Sequence, residues 1–314
     1  MSIPESQLQK WAVKHQTDKA VNTHQRIRKA IEDYEYSRMY YFETFLQGSY
    51  RNDTNIWADT DVDIVVQLNS LFSYEGISGE RINSVYAEAS YTLEDFKTEV
   101  ITALRSAFGY FNIEVGRKSI KVRALNDNMY NADVIVARQH RFYVPFETED
   151  TKYDKNMDMF YYEGISFDTP EGRIVNYPEL HYKEGVRKHK RTGEKFKKIV
   201  RIFKNMRNKA VEKFPIFIID NEIYVFSKDT APSYFIQCLL YNVPDELYNF
   251  AQFSNIVQEI INWAEEILYS DEIQALKSQN KIVPLFGEGS DKWNVNDARI
   301  FIKAMKNLWI NWDK

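Results

Sequence analysis

The sequence has 314 residues, of which 44% are hydrophobic and 27% charged, so it is an ordinary globular composition with enough chain for two lobes. A formal net charge of −4 argues against constitutive binding to DNA or RNA, and the single cysteine, Cys238, excludes an internal disulfide and a cysteine-rich zinc site. Because the sequence has no long apolar run and no signal-peptide pattern at its start, we expect a cytoplasmic protein without membrane contact.

The first segment of the chain has a helical pattern. Between Glu5 and Tyr36, apolar residues recur at spacings of three and four with charges between them. This pattern predicts one long helix that spans both lobes as a spine. The following stretch, 39–46, predicts a strand that leads into a Gly-Ser turn.

The central motif is Gly48-Ser49-Tyr50-Arg51-Asn52-Asp53-Thr54, followed by a strand that begins with Asp61 and Asp63. Residues i and i+2 of a strand share a face, so the two carboxylates stand side by side, where a Mg²⁺ or Mn²⁺ ion would relieve their repulsion. Gly48 and Ser49 could hold a phosphate through backbone N–H groups and a hydroxyl. Separately these are common features of strand ends and surface turns. Together they favour metal-dependent nucleotidyl transfer.

A third carboxylate follows later in the same lobe. After a polar stretch at 69–88, interpreted as a surface excursion, the pattern predicts a helix from Leu93 to Phe108 that ends at Gly109. Three short β-type runs follow, 112–115, 119–125 and 132–137, and Asp133 lies at the start of the last. Asp133 alone could be a plain strand-end residue. With Asp61 and Asp63 it would complete a set of carboxylates able to hold two metal ions.

The second lobe is predicted to be helical. Aromatic residues and turns alternate between 142 and 177, which indicates one or two strands, and Asn176-Tyr177-Pro178 marks the division into a catalytic lobe, 1–178, and a helical lobe, 179–314. Helices are predicted at 192–207, 233–242, 255–269 and 297–312, with a turn-rich loop at 284–290.

The segment 183–213 is rich in Lys and Arg, and Lys197, Arg201 and Lys204 share one helix face. Such a face is usually solvated, but a triphosphate needs cations, so we favour phosphate contact for at least one of the three.

These motifs resemble a known group. The Gly48–Thr54 motif with Asp61, Asp63 and Asp133 is similar to the signature of the polymerase-β-like nucleotidyltransferases, and in particular of their cGAS/DncV-like branch, the bacterial CD-NTases. The match to clade E of that branch rests on four further segments: 173–178, 196–208, 232–234 and 285–294.

The resemblance implies a two-lobed α+β enzyme, with a mixed β-sheet catalytic lobe and a helical lobe. It implies a cyclic dinucleotide or trinucleotide synthase of anti-phage (CBASS) defence that uses ATP, GTP or UTP, releases pyrophosphate and makes a second messenger read by a separate effector protein. Asp61, Asp63 and Asp133 would bind two Mg²⁺ ions, with Mn²⁺ as an alternative, and Gly48 and Ser49 would hold the donor triphosphate.

The same resemblance assigns further residues to nucleotide binding. Lys204 would contact phosphates, Ser233 would meet a phosphate, and the Tyr234 ring would stack on a base; the alternative is a helix-capping Ser and a packed Tyr. Ser166 is placed on the wall of the acceptor pocket, where Asn often accompanies uridine, so a Ser favours purines. The acidic charge and single Cys argue against the zinc insertion and DNA surface of metazoan relatives, so we expect activity without a nucleic-acid activator. We also expect a monomer.

Two other interpretations stay open. The same carboxylates could serve a template-independent transferase that acts on RNA or on a protein. The chain could also be a catalytically silent scaffold whose basic segment 183–213 binds nucleic acid, although the intact carboxylates count against this, and a salt-dependent affinity would count for it.

Overall fold

The computed structural model describes residues 2–15, 17–36, 41–58, 61–76, 81–82, 91–219, 221–289 and 292–313. The chain forms two compact units. The sheet unit comprises residues 16–51 and 60–180, and the helical unit comprises 1–15, 52–59 and 181–314. The division predicted at 178/179 keeps 1–15 and 52–59 with the catalytic lobe, whereas here these two stretches group with the helices.

The sheet unit is built on one mixed sheet with helices on one of its faces. Its strands are β1 (Phe42–Leu46), β2 (Asp61–Glu75), β3 (Arg81–Ile82), β4 (Ile113–Val115), β5 (Ile120–Val122), β6 (Asn131–Val144), β7 (Thr151–Asp154), β8 (Met159–Thr169) and β9 (Gly172–Asn176). Two long helices, α2 (Asp18–Glu32) and α4 (Leu93–Phe108), and one short helix, α3 (Gly48–Asn52), accompany them.

Strand β2 pairs with β6 in parallel, and every other pairing in this sheet is antiparallel. The main strand order is β1-β2-β6-β5-β4, and β8 continues the sheet from the second half of β6. The even-numbered residues Val62, Ile64 and Val66 of β2 are buried against the apolar sides of α2 and α4. The odd-numbered residues, including Asp61 and Asp63, therefore face the other way.

The helical unit buries a separate apolar core. Its elements are α1 (Glu5–Trp11), α5 (Pro178–Arg191, which begins in the sheet unit), α6 (Phe196–Lys213), β10 (Ile216–Ile219), β11 (Glu222–Val225), α7 (Ser233–Asn242), α8 (Phe253–Ile267) and α9 (Val295–Ile310). Helix α6 contributes Phe196, Ile199, Val200, Phe203 and Met206 to this core, the stripe that its periodicity predicts.

The predicted spine helix is wrong: α1 ends at Trp11 and a second helix, α2, begins at Asp18. Tertiary hydrogen bonds replace the helical ones between them. Arg201 Nε donates to the carbonyl of Ala12 at 2.6 Å, and Asn55 Nδ2 donates to the carbonyl of His15 at 2.9 Å. These carbonyls are thus satisfied without a continuing helix.

Other expectations meet mixed outcomes. The mixed α+β fold is confirmed, and α4 and α7 have the predicted bounds. Helix α4 begins with a capping box between Thr92 and Asp95 and ends at Gly109. The surface excursion predicted from residue 69 is wrong up to Glu75, because β2 continues to that residue. Parts of 77–90 lie outside the described residues, as do residues 39 and 40 of the predicted first strand. Helix α5 was not predicted. In the part of the chain that the structure describes, none of the helices has the length and apolarity needed to cross a bilayer.

Candidate active site

The first two predicted carboxylates lie where strand β2 begins. Asp61 is exposed and Asp63 half-buried, while their neighbours Val62 and Ile64 are completely buried on the opposite face. The burial of these apolar neighbours fixes the orientation of the strand, because a shift of one residue would move every side chain to the other face. The core therefore holds both carboxylates on one face of the sheet.

The third predicted carboxylate lies beside them. In the parallel pairing of β2 with β6, Asp63 is the register partner of Asp133, so the two side chains point to the same face on strands about 5 Å apart. Ser119 Oγ donates a hydrogen bond to Asp133 Oδ1 at 2.9 Å. Lys121, on the far side of Asp133, is the register partner of that residue on β5.

The backbone of Gly48 lies very close to the Asp63 carboxylate. Its φ is +67°, in the left-handed region, and a β-carbon there would lie 1.9 Å from Asp63 Oδ2. Only glycine fits this position, for both reasons. The backbone N–H of Gln47 donates to the carbonyl of Asp63 at 3.0 Å, which holds the start of α3 against β2. Ser49, the next predicted phosphate contact, is half-buried in the first turn of α3.

These residues are not yet a complete metal site. Among the described residues, no group of three or more His, Cys, Asp or Glu side chains is arranged to hold a metal ion. The structure brings Asp63 and Asp133 side by side, with Asp61 two residues away on the same face. Mg²⁺ in nucleotidyl transfer uses one or two carboxylates together with substrate phosphates. The oxygen donors and the space that Gly48 leaves beside Asp63 fit such an ion.

A cavity of about 480 Å³ opens on the same face of the sheet. It is lined by Gln67, which follows Asp63 and Val65 on that face, and by Phe45 of β1 and Ile165 of β8. Ser166 does not line this cavity. Its side chain is completely buried, where it bonds to Ser73 Oγ at 2.7 Å and accepts from Arg138 Nε at 3.2 Å. The base-selecting role of Ser166 stays a prediction.

In the helical unit, Lys197, Arg201 and Lys204 are not a solvated basic face. Each is less than 8% exposed. Lys204 Nζ donates to the carbonyl of Thr54 at 3.0 Å, and Arg201 Nη1 donates to the carbonyl of Asp53 at 2.5 Å. Burial lowers the pKa of Arg201 to about 10, partly offset by Asp53, so it stays protonated at neutral pH. Contact of Lys204 with phosphates stays a prediction beside this observed bond.

Ser233 and Tyr234 begin α7. The alternative of a helix-capping Ser is wrong, because the N-cap is Pro232 and Ser233 instead accepts a hydrogen bond from Arg207 Nη1 at 3.4 Å. The Tyr234 ring stacks on His181 with a centroid distance of 4.9 Å and an angle of 20°. One face of the ring is therefore already covered. Whether Ser233 and Tyr234 bind a nucleotide stays a prediction.

Two features of these sites escaped sequence reasoning. Ser119 lies in a hairpin of polar residues, and the sequence there indicates a turn but no contact with Asp133. His181 was not singled out, although it is 3% exposed and burial lowers its pKa to about 3. Neither position could be recognised without the strand register or the helix packing that surrounds it.

Comparison with known proteins gives the family. Residues 183–310 match the model of the cGAS/DncV-like nucleotidyltransferase C-terminal helical domain. A cyclic UMP-AMP synthase of Rhodothermus marinus is 36% identical over 99% of this chain and 99% of its own length. The cyclic nucleotide synthase CdnE01 of Staphylococcus haemolyticus is also 36% identical, over 99% of this chain and all of the relative.

Solved structures agree with this similarity. The R. marinus CdnE c-UMP-AMP synthase with Apcpp and Upnpp superimposes with a TM-score of 0.80 over 99% of this chain and 98% of that one. The Elizabethkingia meningoseptica CdnE cyclic dinucleotide synthase with GTP and Apcpp, 25% identical, gives 0.72 over 97% and 98%. The family and enzyme class expected from the motifs are confirmed: the chain belongs to the cGAS/DncV-like nucleotidyltransferases, metal-dependent enzymes whose relatives of the same length are cyclic nucleotide synthases.

Proposed function

We propose that this chain joins two nucleoside triphosphates into a cyclic dinucleotide, with release of pyrophosphate, at the carboxylates of β2 and β6. The observation that carries the proposal is the register of Asp63 with Asp133, next to a glycine whose backbone approaches Asp63. A nucleotidyltransferase needs hard oxygen ligands for metal ions beside a turn that admits phosphates. Asp63 and Asp133 are such ligands, and Gly48 begins such a turn.

Asp61, Asp63 and Asp133 would hold two Mg²⁺ ions, or Mn²⁺ in their place. When bound, such ions lower the pKa of the attacking hydroxyl and neutralise the charge on the transferring phosphoryl group. The protein residues would do the rest. Ser119 orients the Asp133 carboxylate through its hydrogen bond. Gly48 and Ser49 would admit and bind the donor phosphates through backbone N–H and hydroxyl groups.

Three further residues are part of the proposal as nucleotide contacts. Ser233 and Lys204 would supply a hydroxyl and a cation to phosphates, and the Tyr234 ring would stack on a base. Ser166 would influence which base is accepted. We expect ATP and GTP as substrates and a purine product, with UTP as an alternative because one relative is named a cyclic UMP-AMP synthase.

The wider role is part of the same proposal. The product would act as a messenger of anti-phage (CBASS) defence, read by a separate effector protein, and the enzyme would act as a monomer in the cytoplasm without a nucleic-acid activator. None of these properties is needed for the chemistry above, and each is separable from it by experiment.

The test uses purified protein with all four NTPs and either Mg²⁺ or Mn²⁺, followed by phosphatase and mass spectrometry. We expect a phosphatase-resistant cyclic dinucleotide whose mass gives its bases. The control is the double variant Asp61→Asn, Asp63→Asn, which keeps the shape of both side chains and removes their charges. It should yield no cyclic product.

Other outcomes would favour the alternatives. Linear products, or transfer only to added RNA or protein, would replace the proposal with a template-independent transferase. If the protein with either metal consumes no NTP and instead binds nucleic acid with a steep salt dependence, it is a binding scaffold.

A further inference from the structure

We propose that Asp53 and the cations around it are positioning residues, which fix the stretch 52–58 between the donor-turn residue Ser49 and the carboxylate Asp61. This inference rests on the proposed function for its catalytic consequence. Its structural part stands on contacts within the helical unit.

The side chain of Asp53 is an ionic centre. Its carboxylate is paired with the ammonium of Lys14 through Oδ1 and with Lys197 Nζ through Oδ2 at 3.3 Å. Burial acts against the charged form, but the hydrogen bonds and charges of these two lysines together lower the pKa of Asp53. The carboxylate is therefore ionised at neutral pH.

The backbone of the same stretch is held as well. Arg201 Nη1 donates to the carbonyl of Asp53, and Lys204 Nζ donates to the carbonyl of Thr54. Together with Lys197, three successive cations of one α6 face thus point at two consecutive residues. Burying a cation without a hydrogen-bond acceptor is costly. Asp53 and Thr54 supply these acceptors, and the cations in turn fix the position of the two residues.

Side-chain hydrogen bonds extend the attachment. Thr54 Oγ1 donates to Gln237 Oε1 at 3.0 Å, and Asn55 Nδ2 donates to the carbonyl of His15 at 2.9 Å. Thr54, Asn55 and Ile56 are each at most 1% exposed. A connecting stretch is usually exposed and mobile, whereas residues 54–56 are buried as fully as core residues.

The backbone of Asp53 has an unfavourable conformation that its surroundings must stabilise. Its φ is +56°, a left-handed value that costs a non-glycine residue about 1 kcal/mol and that Asp and Asn tolerate best. Such residues persist where their surroundings over-determine the conformation, and here contacts from three cations, Lys14, Lys197 and Arg201, do so.

The functional consequence follows from chain continuity. Asp53 directly follows α3, whose first turn contains Gly48 and Ser49, and the stretch leads on to Asp61 at the start of β2. Loosening it would let the donor turn and the first carboxylate move, and a displacement of about 1 Å can reduce turnover by about 100-fold.

The test compares two substitutions of the same kind. Asp53→Asn keeps the shape and the tolerance of a left-handed backbone but removes the charge. Asp245→Asn is the matched control, because Asp245 also pairs with two cations of the helical unit, Lys188 and Arg191, far along the chain from the motif. Amide hydrogen exchange is measured on each protein without nucleotide, and NTP turnover is measured separately.

We expect Asp53→Asn to speed amide exchange in 52–58 by about 10-fold or more and to lower kcat by a similar factor, with little change in KM. Asp245→Asn should change neither, even if it lowers the melting temperature as much. Should Asp53→Asn not fold, Lys14→Gln removes one partner near the surface and should give the same pattern more weakly.

Unchanged exchange in 52–58, or an equal loss of kcat in Asp245→Asn, would overturn the inference. The exchange measurement involves no substrate, so it decides whether Asp53 fixes this stretch even if the proposed reaction is wrong. Faster exchange with unchanged kcat would also overturn the positioning role.

Discussion

A β-carbon on Gly48 would lie 1.9 Å from Asp63 Oδ2, closer than any non-bonded contact allows. Gly48→Ala must therefore push the carboxylate away or move the turn. We expect this substitution to lower turnover of NTPs by about 100-fold, because the displaced atom belongs to the carboxylate pair. The measurement is steady-state release of pyrophosphate.

The control for Gly48→Ala is Gly193→Ala. Gly193 also has a left-handed φ, +56°, but a β-carbon there meets no atom within 4 Å. Both substitutions thus introduce a similar backbone strain of about 1 kcal/mol, but only Gly48→Ala also produces the clash with Asp63. If Gly193→Ala reduced turnover as much as Gly48→Ala, strain alone would explain the effect.

Ser119→Ala removes the hydroxyl that donates to Asp133 Oδ1. We expect kcat to fall by roughly 10-fold, because the carboxylate loses a charge-assisted hydrogen bond worth about 1.5 kcal/mol that fixes its rotamer. The melting temperature should hardly change at this half-buried hairpin position. Ser119→Thr keeps the hydroxyl and should retain most of the activity; an equally inactive Thr variant would point to packing and not to the hydrogen bond.

Ser166→Ala tests a residue with two possible roles. Because its hydroxyl is buried and bonded to Ser73 and Arg138, we expect a loss of about 1 kcal/mol in the free energy of unfolding. Denaturant titration measures this loss, and mass spectrometry of the product measures base choice in the same protein. A changed set of bases at unchanged stability would contradict the structural role and support the specificity role.

His181 should make the protein sensitive to mild acid. Gln237 Nε2 lies 3.0 Å from His181 Nε2, and an amide nitrogen can only donate, so the imidazole must accept and be neutral. Burial lowers its pKa from 6.5 to about 3, so as pH falls below 6.5 the unfolded chain takes up the proton and the folded chain does not. The contribution of His181 to the free energy of unfolding is therefore fully present above pH 6.5 and declines as the pH falls towards 3.

The expected decline is about 1.4 kcal/mol per pH unit for this one group. Chemical denaturation at pH 7 and at pH 5 measures it, and His181→Gln, which cannot titrate, should show a correspondingly smaller decline. Equal declines in both proteins would mean that other groups, such as His189 with its lowered pKa, account for the acid sensitivity.

Local patterns predicted much of this structure. Helix α4 and the start of β2 follow from apolar periodicity and capping residues, which act over a few positions of chain. The sequence also predicts Asp133 as a third carboxylate at the start of an apolar strand, and the structure shows that it is the register partner of Asp63. The family resemblance then supplied the chemistry that periodicity cannot.

What the sequence could not predict depends on contacts between distant residues. The helix break after Trp11 has no Pro or Gly to mark it; it exists because Arg201 and Asn55 take up the carbonyls of Ala12 and His15. The basic face of α6 resembled a solvated or phosphate-binding surface, since nothing local indicates that Asp53 and Thr54 are its acceptors. Hydrogen bonds between residues far apart in the chain leave no periodic pattern in the sequence, so they could not be predicted from it.

The helical unit is assembled from three separate stretches of chain, 1–15, 52–59 and 181–314. A protein made from residues 181–314 alone would lack the carbonyls and the carboxylate that accept hydrogen bonds from Lys197, Arg201 and Lys204. During synthesis the first fifteen residues must likewise wait until most of the chain has been made before they can pack. The helical unit therefore completes its packing late in synthesis, and it cannot be exchanged between relatives by joining two chains at a single point.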